Sequence, residues 1–376
     1  MGQSDTRFRR EAGVAHGVAT VRAISGAGGK GPACFLVETA EARVLFDLGY
    51  GPQPGRWPDV SGLGHVDAIV LSHGHNDHAG GLQLAAQLGR PPVHATGAVV
   101  ATLKTDLATR ELPVRGTTTV CGITIRTGRN GHAPGGVWLH ADIGGGLLYT
   151  GDYSVESLIY EHDAPPEAGT VILDASYGIY DEPLASCIAT LARVVDAPAT
   201  LLPVPVMGRG PDIAYYLAGE RAELPRLGKD LRAALHTMAA APEANGVRLA
   251  AVHTLKRIAT EAPAIDDPTG IILAGAADGS SGEAAAVIAR WGNAGRGAIV
   301  FTGYLPPGTP AQQLTDSGRA RYMRWNVHPR LRDNVALVRA TGARTVLPAF
   351  GDRKHRAAWQ QAFAPARIAI EETVAL

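Results

Sequence analysis

Directly after the apolar run Asp67-Ala-Ile-Val-Leu-Ser72, the chain reads Leu71-Ser-His-Gly-His-Asn-Asp-His-Ala-Gly-Gly81. Four side chains with nitrogen or oxygen donors for a divalent ion, His73, His75, Asp77 and His78, stand within six residues. Imidazole and carboxylate are the ligands that hold Zn²⁺ and similar ions. Such a segment cannot pack as an apolar core. It must be a loop at the end of a buried strand, so the fold has to bring further ligands to that strand end. Short Val/Ile/Leu-rich runs that end in Gly, Asp or Ser recur along the chain, and their length and flanks read as buried strands. They include 43–47, 67–72, 147–152, 170–174, 200–204, 270–274, 298–302 and 345–348. Helical periodicity lies between them at 81–88, 184–195, 211–222, 229–240, 282–291 and 331–341. The first half is dense in strands. From about residue 180 strand and helix alternate, which is the pattern of a parallel α/β unit.

Other strand ends supply candidate partners for the histidine loop. His132 stands in the Gly/Pro turn Arg129-Asn-Gly-His-Ala-Pro-Gly-Gly136, and Asp152 follows the run ending Tyr149-Thr-Gly. Asp47 closes another strand, where a carboxylate can orient a ligating imidazole. The segment Ser25-Gly-Ala-Gly-Gly-Lys-Gly31 lacks the spacing of a phosphate loop and reads as a turn between strands. The turn Asp278-Gly-Ser-Ser-Gly282 reads as a helix N-cap or an anion-binding turn.

The ordered set Asp47, His73-x-His75-x-Asp77-His78, His132 and Asp152 resembles the metallo-β-lactamase superfamily. The resemblance implies an α/β fold, an αββα sandwich with a dinuclear metal site at its edge. In it His73, His75 and His132 hold one ion, Asp77 and His78 hold the other, and Asp152 bridges. Zn²⁺ is the expected ion at both sites, with Mn²⁺ as an alternative. The remainder is similar to the β-CASP branch. Val171-Ile-Leu-Asp-Ala-Ser-Tyr-Gly178 matches the acidic motif that opens that branch, making Asp174 its acidic residue. Val204-Pro-Val-Met-Gly-Arg-Gly-Pro211 matches its Gly-Arg segment, and Trp325-Asn-Val-His-Pro-Arg330 places His328 at its second motif. The implied organisation is a metallo-β-lactamase core over 1–180, an inserted parallel α/β (β-CASP-like) cap over 181–320, and a return to the core over 321–376.

That branch consists mostly of nucleic-acid phosphodiesterases, so RNA or DNA is the implied substrate, cleaved by metal-activated hydroxide. Asp77, Asp152, Asp174 and His328 are the implied catalytic groups, with His328 touching a phosphate oxygen or protonating the leaving group. Arg209 and Arg324 are candidates for flanking phosphates, since guanidinium matches phosphate bidentately. Homodimers are common among such relatives. The chain departs from the branch at its third motif, where Phe350 stands in place of a histidine. A phenyl ring cannot ligate. Either His355 substitutes, or one ion is held tightly and the other weakly, or the apolar residue echoes the DNA-directed members, which carry valine.

Composition bears on the substrate. Lys+Arg 35 against Asp+Glu 35 gives no net charge, and the span 181–320 holds 12 basic and 14 acidic residues. A nuclease is expected to concentrate cations along its cleft. A hydrolase of a small ester, lactone or phosphodiester is therefore a second expectation, and a non-catalytic binding protein with a degenerate second metal site a third. Three separated cysteines, Cys34, Cys121 and Cys187, fit a reducing, cytoplasmic setting. The polar start of the chain has no apolar core of a signal peptide, and no apolar run is long enough to span a membrane.

Overall fold

The computed structural model describes residues 18–195, 197, 199–265, 269–292, 297–370 and 373–376. The polar start of the chain lies outside these residues. Three sheets organise the chain. The first has seven strands in the order Thr373–Ala375, Thr20–Ser25, Cys34–Glu38, Arg43–Phe46, Ala68–Val70, Val93–Thr96 and Thr109–Leu112. The second runs Arg367–Ile368, Thr345–Ala349, Thr170–Asp174, Leu147–Tyr149, Val137–Ala141, Ile123–Arg129 and Gly116–Val120. Their inner faces meet in a buried layer that includes Phe35, Val44, Phe46, Val70, Val137, Leu139, Tyr149, Ile172 and Leu347. Leu36, Leu45, Ile69 and Leu88 form a second layer on the outer face of the first sheet. Leu148, Val171 and Leu173 pack with Leu337, Val338, Trp359 and Phe363 of two helices on the outer face of the second. Strands buried on both faces must be apolar at every position rather than alternating, which is why the runs in the sequence are short and continuous. The architecture is an αββα sandwich.

The third sheet, Arg226–Leu227, Gly270–Ala274, Ala199–Pro203, Ala298–Phe301 and Arg321–Tyr322, is parallel throughout. Helices cover both faces: Leu191, Leu217, Leu231, Leu235 and Leu255 pack on one side, and Val287, Trp291 and Leu314 on the other. Open parallel sheets present their binding crevice at the carboxyl ends of the strands. Here the segments following those ends, around Pro205, Ala277, Gly303 and Arg324, line the same cavity as the histidine loop.

Some local readings of the sequence differ from the structure. The stretch read as a helix at 81–88 is a 3₁₀ turn, Leu82–Leu88. A helix not anticipated, Leu249–Glu261, buries Ala251, Leu255, Ile258 and Ala259; its alanines hide the apolar stripe. Among the described residues no helix is long and apolar enough to cross a membrane.

Candidate metal centre

The motif loop leaves the strand Ala68–Val70 and closes into one helical turn, Asn76–Ala79, with His75 at its N-cap. That turn separates the ligands into two groups. Gly49 allows it to sit down, because a β-carbon at 49 would collide with the Asp77 carbonyl. His73 Nε2 and His132 Nε2 approach His75 Nδ1 at 3.1 and 3.0 Å. Asp152 Oδ2 lies 3.6 Å from His132 Nε2 and 4.0 Å from His73 Nε2. These four residues form one group able to hold an ion, and Asp77, His78 and Asp152 form a second. Asp152 belongs to both.

The hydrogen bonds on the far side of each ring decide what the converging nitrogens can be. Ser72 Oγ gives its proton to Asp47 Oδ2 at 2.7 Å and so accepts from His73 Nδ1 at 3.1 Å. His132 Nδ1 donates to the Val327 carbonyl at 2.7 Å, and His75 Nε2 faces the Met207 carbonyl at 3.4 Å. His78 Nδ1 donates to Asp47 Oδ2 at 2.7 Å. With those protons fixed outward, neutral imidazoles turn lone pairs toward one another. His78 Nε2 then faces Asp152 Oδ1 at 3.3 Å, and both atoms are buried without a hydrogen-bond partner. Buried acceptors aimed at one another are costly unless positive charge, a proton or a metal ion, lies between them. The residues present fit a divalent ion.

Burial pushes the His73 and His132 pKa values well below the usual imidazole range, and the neighbouring rings add to this for His73. Both are therefore neutral and able to ligate at neutral pH. Burial also opposes charge on His78, but Asp152 and Asp47 outweigh it and raise the pKa well above the usual value. An ion in the second group would have to displace that proton.

Asp47 organises this side of the site. It is fully buried, holds φ at +59°, and accepts from the Ser72 amide, Ser72 Oγ, His78 Nδ1 and Tyr149 OH at 2.6–2.7 Å. Asparagine tolerates the left-handed backbone but loses one acceptor oxygen, leaving buried donors unpaired. Asp47→Asn is expected to lower stability by about 1–3 kcal/mol and metal affinity by roughly 10–100-fold. Thermal unfolding together with metal content checks both.

A third group joins the first two from the cap side. His328 Nδ1 donates to Asp174 Oδ2 at 2.8 Å and lies 3.7 Å from Asp152 Oδ2. Asp174 is held in turn by the amides of Ser176 and Tyr153. His355 is not brought to the site. The 3₁₀ turn Arg353–His355 carries it away from the strand end, and it packs on Gly178 and against Trp359 at 5.8 Å between ring centroids. The expectation that His355 replaces the missing ligand is corrected accordingly. Phe350 occupies that quarter, buried at φ +62° with its ring 5.1 Å from His78. Asp47 and Phe350 are two of four non-glycine residues with positive φ among the described residues, so backbone strain gathers at the site.

The cavity over the cluster measures about 970 Å³. Arg209 and Arg324 reach it from the parallel sheet. Arg324 lies between the Tyr177 and Tyr180 rings at 4.4 and 4.2 Å, and each arginine has a buried guanidinium nitrogen without a partner. Lys30, read from the sequence as a turn residue, also lines the cavity, with Nζ 3.8 Å from Asp77 Oδ2 and 3.4 Å from Ser176 Oγ. No short motif marks it, because its partners come from loops 47 and 146 residues away.

Beneath the His132 turn, the His162 ring lies tilted against Tyr153 with centroids 5.5 Å apart, and burial lowers its pKa to about 4. Its folded pKa is depressed, so its contribution to stability is full above about pH 6.5 and falls as pH drops toward 4. Thermal unfolding between pH 7.5 and 5 is expected to show this loss, and His162→Gln to flatten it.

The αββα sandwich carries converging imidazole and carboxylate side chains at one edge that could hold a metal ion. A metallo-beta-lactamase superfamily model matches residues 27–204 of this chain. The transcription termination factor FttA of Cenarchaeum symbiosum is 26% identical over 262 residues, covering 55% of this chain and 40% of that protein. Ribonuclease TTHA0252 of Thermus thermophilus is 27% identical over 220 residues, covering 49% and 51%. An RNase J-like protein of Methanocaldococcus jannaschii is 44% identical over 52 residues, 14% of this chain and 12% of that protein. This chain thus spans about half or less of each of these relatives. Their similarity agrees with the resemblance to the β-CASP branch. A crystal structure of a protein of unknown function from Enterococcus faecalis V583 superposes with a TM-score of 0.61 at 13% identity. It covers 96% of this chain and 100% of that one, and it shows the shared fold.

Proposed function

We propose that this chain is a metal-dependent phosphodiesterase acting on RNA or DNA, with Zn²⁺ as its ion. The observation that carries the reading is the placement of two cationic guanidinium groups, Arg209 and Arg324, across one cavity from the His/Asp cluster. The first ion is assigned to His73, His75, His132 and Asp152, and the second position to Asp77, His78 and Asp152. A bound ion would supply Lewis acidity and positive charge for the displacement at phosphorus. The chain's own groups do the rest. Arg209 and Arg324 engage phosphate oxygens through their guanidinium groups. Tyr50, Tyr304 and Tyr322 line the same cavity and offer faces on which bases stack. Asp174 holds the His328 Nδ1 proton in place and leaves Nε2 to pass a proton to the leaving oxygen.

Cleavage of end-labelled single-stranded RNA and DNA tests the reading, and failure to cut either with the metal-loaded chain overturns it. Arg209→Gln is expected to raise KM for an oligonucleotide roughly tenfold with a smaller change in kcat, as for one charged hydrogen bond. The near balance of charge in the span 181–320 favours a second reading, a hydrolase of small phosphodiesters or esters through the same residues. Turnover of a chromogenic phosphodiester together with inert polynucleotides selects it.

A further inference from the structure

The quarter of the site beside His78 is built unlike the quarter beside His73. Four residues converge on the first ion position, but three converge on the second. The place of a further ligand is filled by the buried Phe350 ring, 5.1 Å from His78 and 6.1 Å from Phe35. Over that ring, 5.5 Å from its centroid, sits the Lys30 ammonium. The same ammonium lies 3.8 Å from Asp77 Oδ2, a ligand of the second position, and its side chain is only 19% exposed.

The loop that carries Lys30 is fastened at both ends of this arrangement. Phe350 N donates to Gly26 O at 2.6 Å, Arg353 N to Gly28 O at 3.2 Å, and Ala33 N to Asp77 O at 2.8 Å. Ala27 also bridges Ala349. Backbone contacts on three sides leave the loop little freedom, and Ser176 Oγ at 3.4 Å holds the ammonium itself. A fixed cation beside Asp77 disfavours a second cation there by Coulomb repulsion in a poorly solvated cleft. It also presents N–H donors to the cavity.

We infer that Lys30 takes the place of the second divalent ion: the chain holds one ion tightly, and the ammonium over Phe350 supplies the other positive charge that faces the substrate's anionic oxygens. The inference rests on the metal-hydrolase reading above. An aromatic ring and a lysine together then do what a histidine and an ion would do. The ring seals the position and carries no donor atom, while the ammonium neutralises Asp77 and remains free to hold a phosphate-type anion.

The test counts ions on the full chain. Protein is loaded with Zn²⁺, dialysed, and measured by mass spectrometry, and a Zn²⁺ titration gives the dissociation constant of any second ion. The wild type is expected to keep one ion per chain. Lys30→Met is expected to bind a second at least about tenfold more tightly than the wild type does, as one nearby unit charge requires, while Lys30→Arg stays at one. Inorganic phosphate, titrated into the one-ion protein, is expected to bind several-fold more weakly to Lys30→Met and unchanged to Lys30→Arg. Two ions retained by the wild type, or an unchanged second-ion constant or phosphate affinity in Lys30→Met, overturns the inference. No ion retained by the wild type overturns the metal reading beneath it as well. Should Lys30→Met fail to fold, Phe350→His carries the test. It adds a ligand while leaving the ammonium, and a second ion that then binds as tightly as the first overturns the proposed repulsion.

Discussion

Asp152→Asn is expected to abolish turnover while the chain stays folded. Asp152 is the one side chain common to the two ion-holding groups and to the pair formed by Asp174 and His328. Its Oδ2 faces His132, His73 and His328, and its Oδ1 faces His78. Asparagine keeps the volume, so the buried packing around the strand end survives. It replaces one oxygen by an amide nitrogen that cannot ligate, and it removes the negative charge that draws an ion inward. Metal catalysis of this kind is worth several kcal/mol of transition-state stabilisation, so the loss is roughly 10²–10³-fold or more. Turnover, ion content and thermal unfolding measured on the same preparation separate this from unfolding. Turnover that survives in a folded Asp152→Asn sinks the assignment of Asp152 to both positions.

Much of this was legible in the sequence because it is written locally. Val, Ile and Leu runs buried on both faces leave no alternation to misread, and the ligands other than His132 stand at or just past the ends of such runs. His73, His75, Asp77 and His78 share one loop, Asp174 ends its strand, and Asp152 lies just past the end of Leu147–Tyr149. What stayed hidden is set by contacts between distant segments. Tyr149 donates to Asp47 across 102 residues, and the Val327 carbonyl fixes the His132 ring across 195. Neither leaves a local signature. The two-residue strands Arg226–Leu227 and Arg321–Tyr322 are too short to carry a period. His355 shows the converse, since closeness in sequence to a strand end does not fix the direction of a side chain. A 3₁₀ turn is enough to point it elsewhere. Lys30 escaped notice for a related reason: a glycine-rich turn reads as a connector until its neighbours are known.

His328→Ala is expected to lower kcat by about 10²–10⁴-fold, the usual range for a positioned proton donor, with a much smaller effect on KM. The ring lines the cavity beside Asp152 but is not counted among the ligands of either ion position. Its removal should therefore leave ion content intact, which distinguishes it from Asp152. Asp174 acts through His328. Its Oδ2 receives the His328 Nδ1 proton at 2.8 Å, and two backbone amides hold the carboxylate still. Asp174→Asn keeps the shape but weakens the acceptor, so the ring loses its orientation, and kcat is expected to fall while KM and ion content change little. A substrate whose leaving group needs no proton, such as a nitrophenyl phosphodiester, supplies the sharper comparison. His328→Ala should cost far less with it than with an oligonucleotide, and equal losses on both substrates would rule out proton donation by His328.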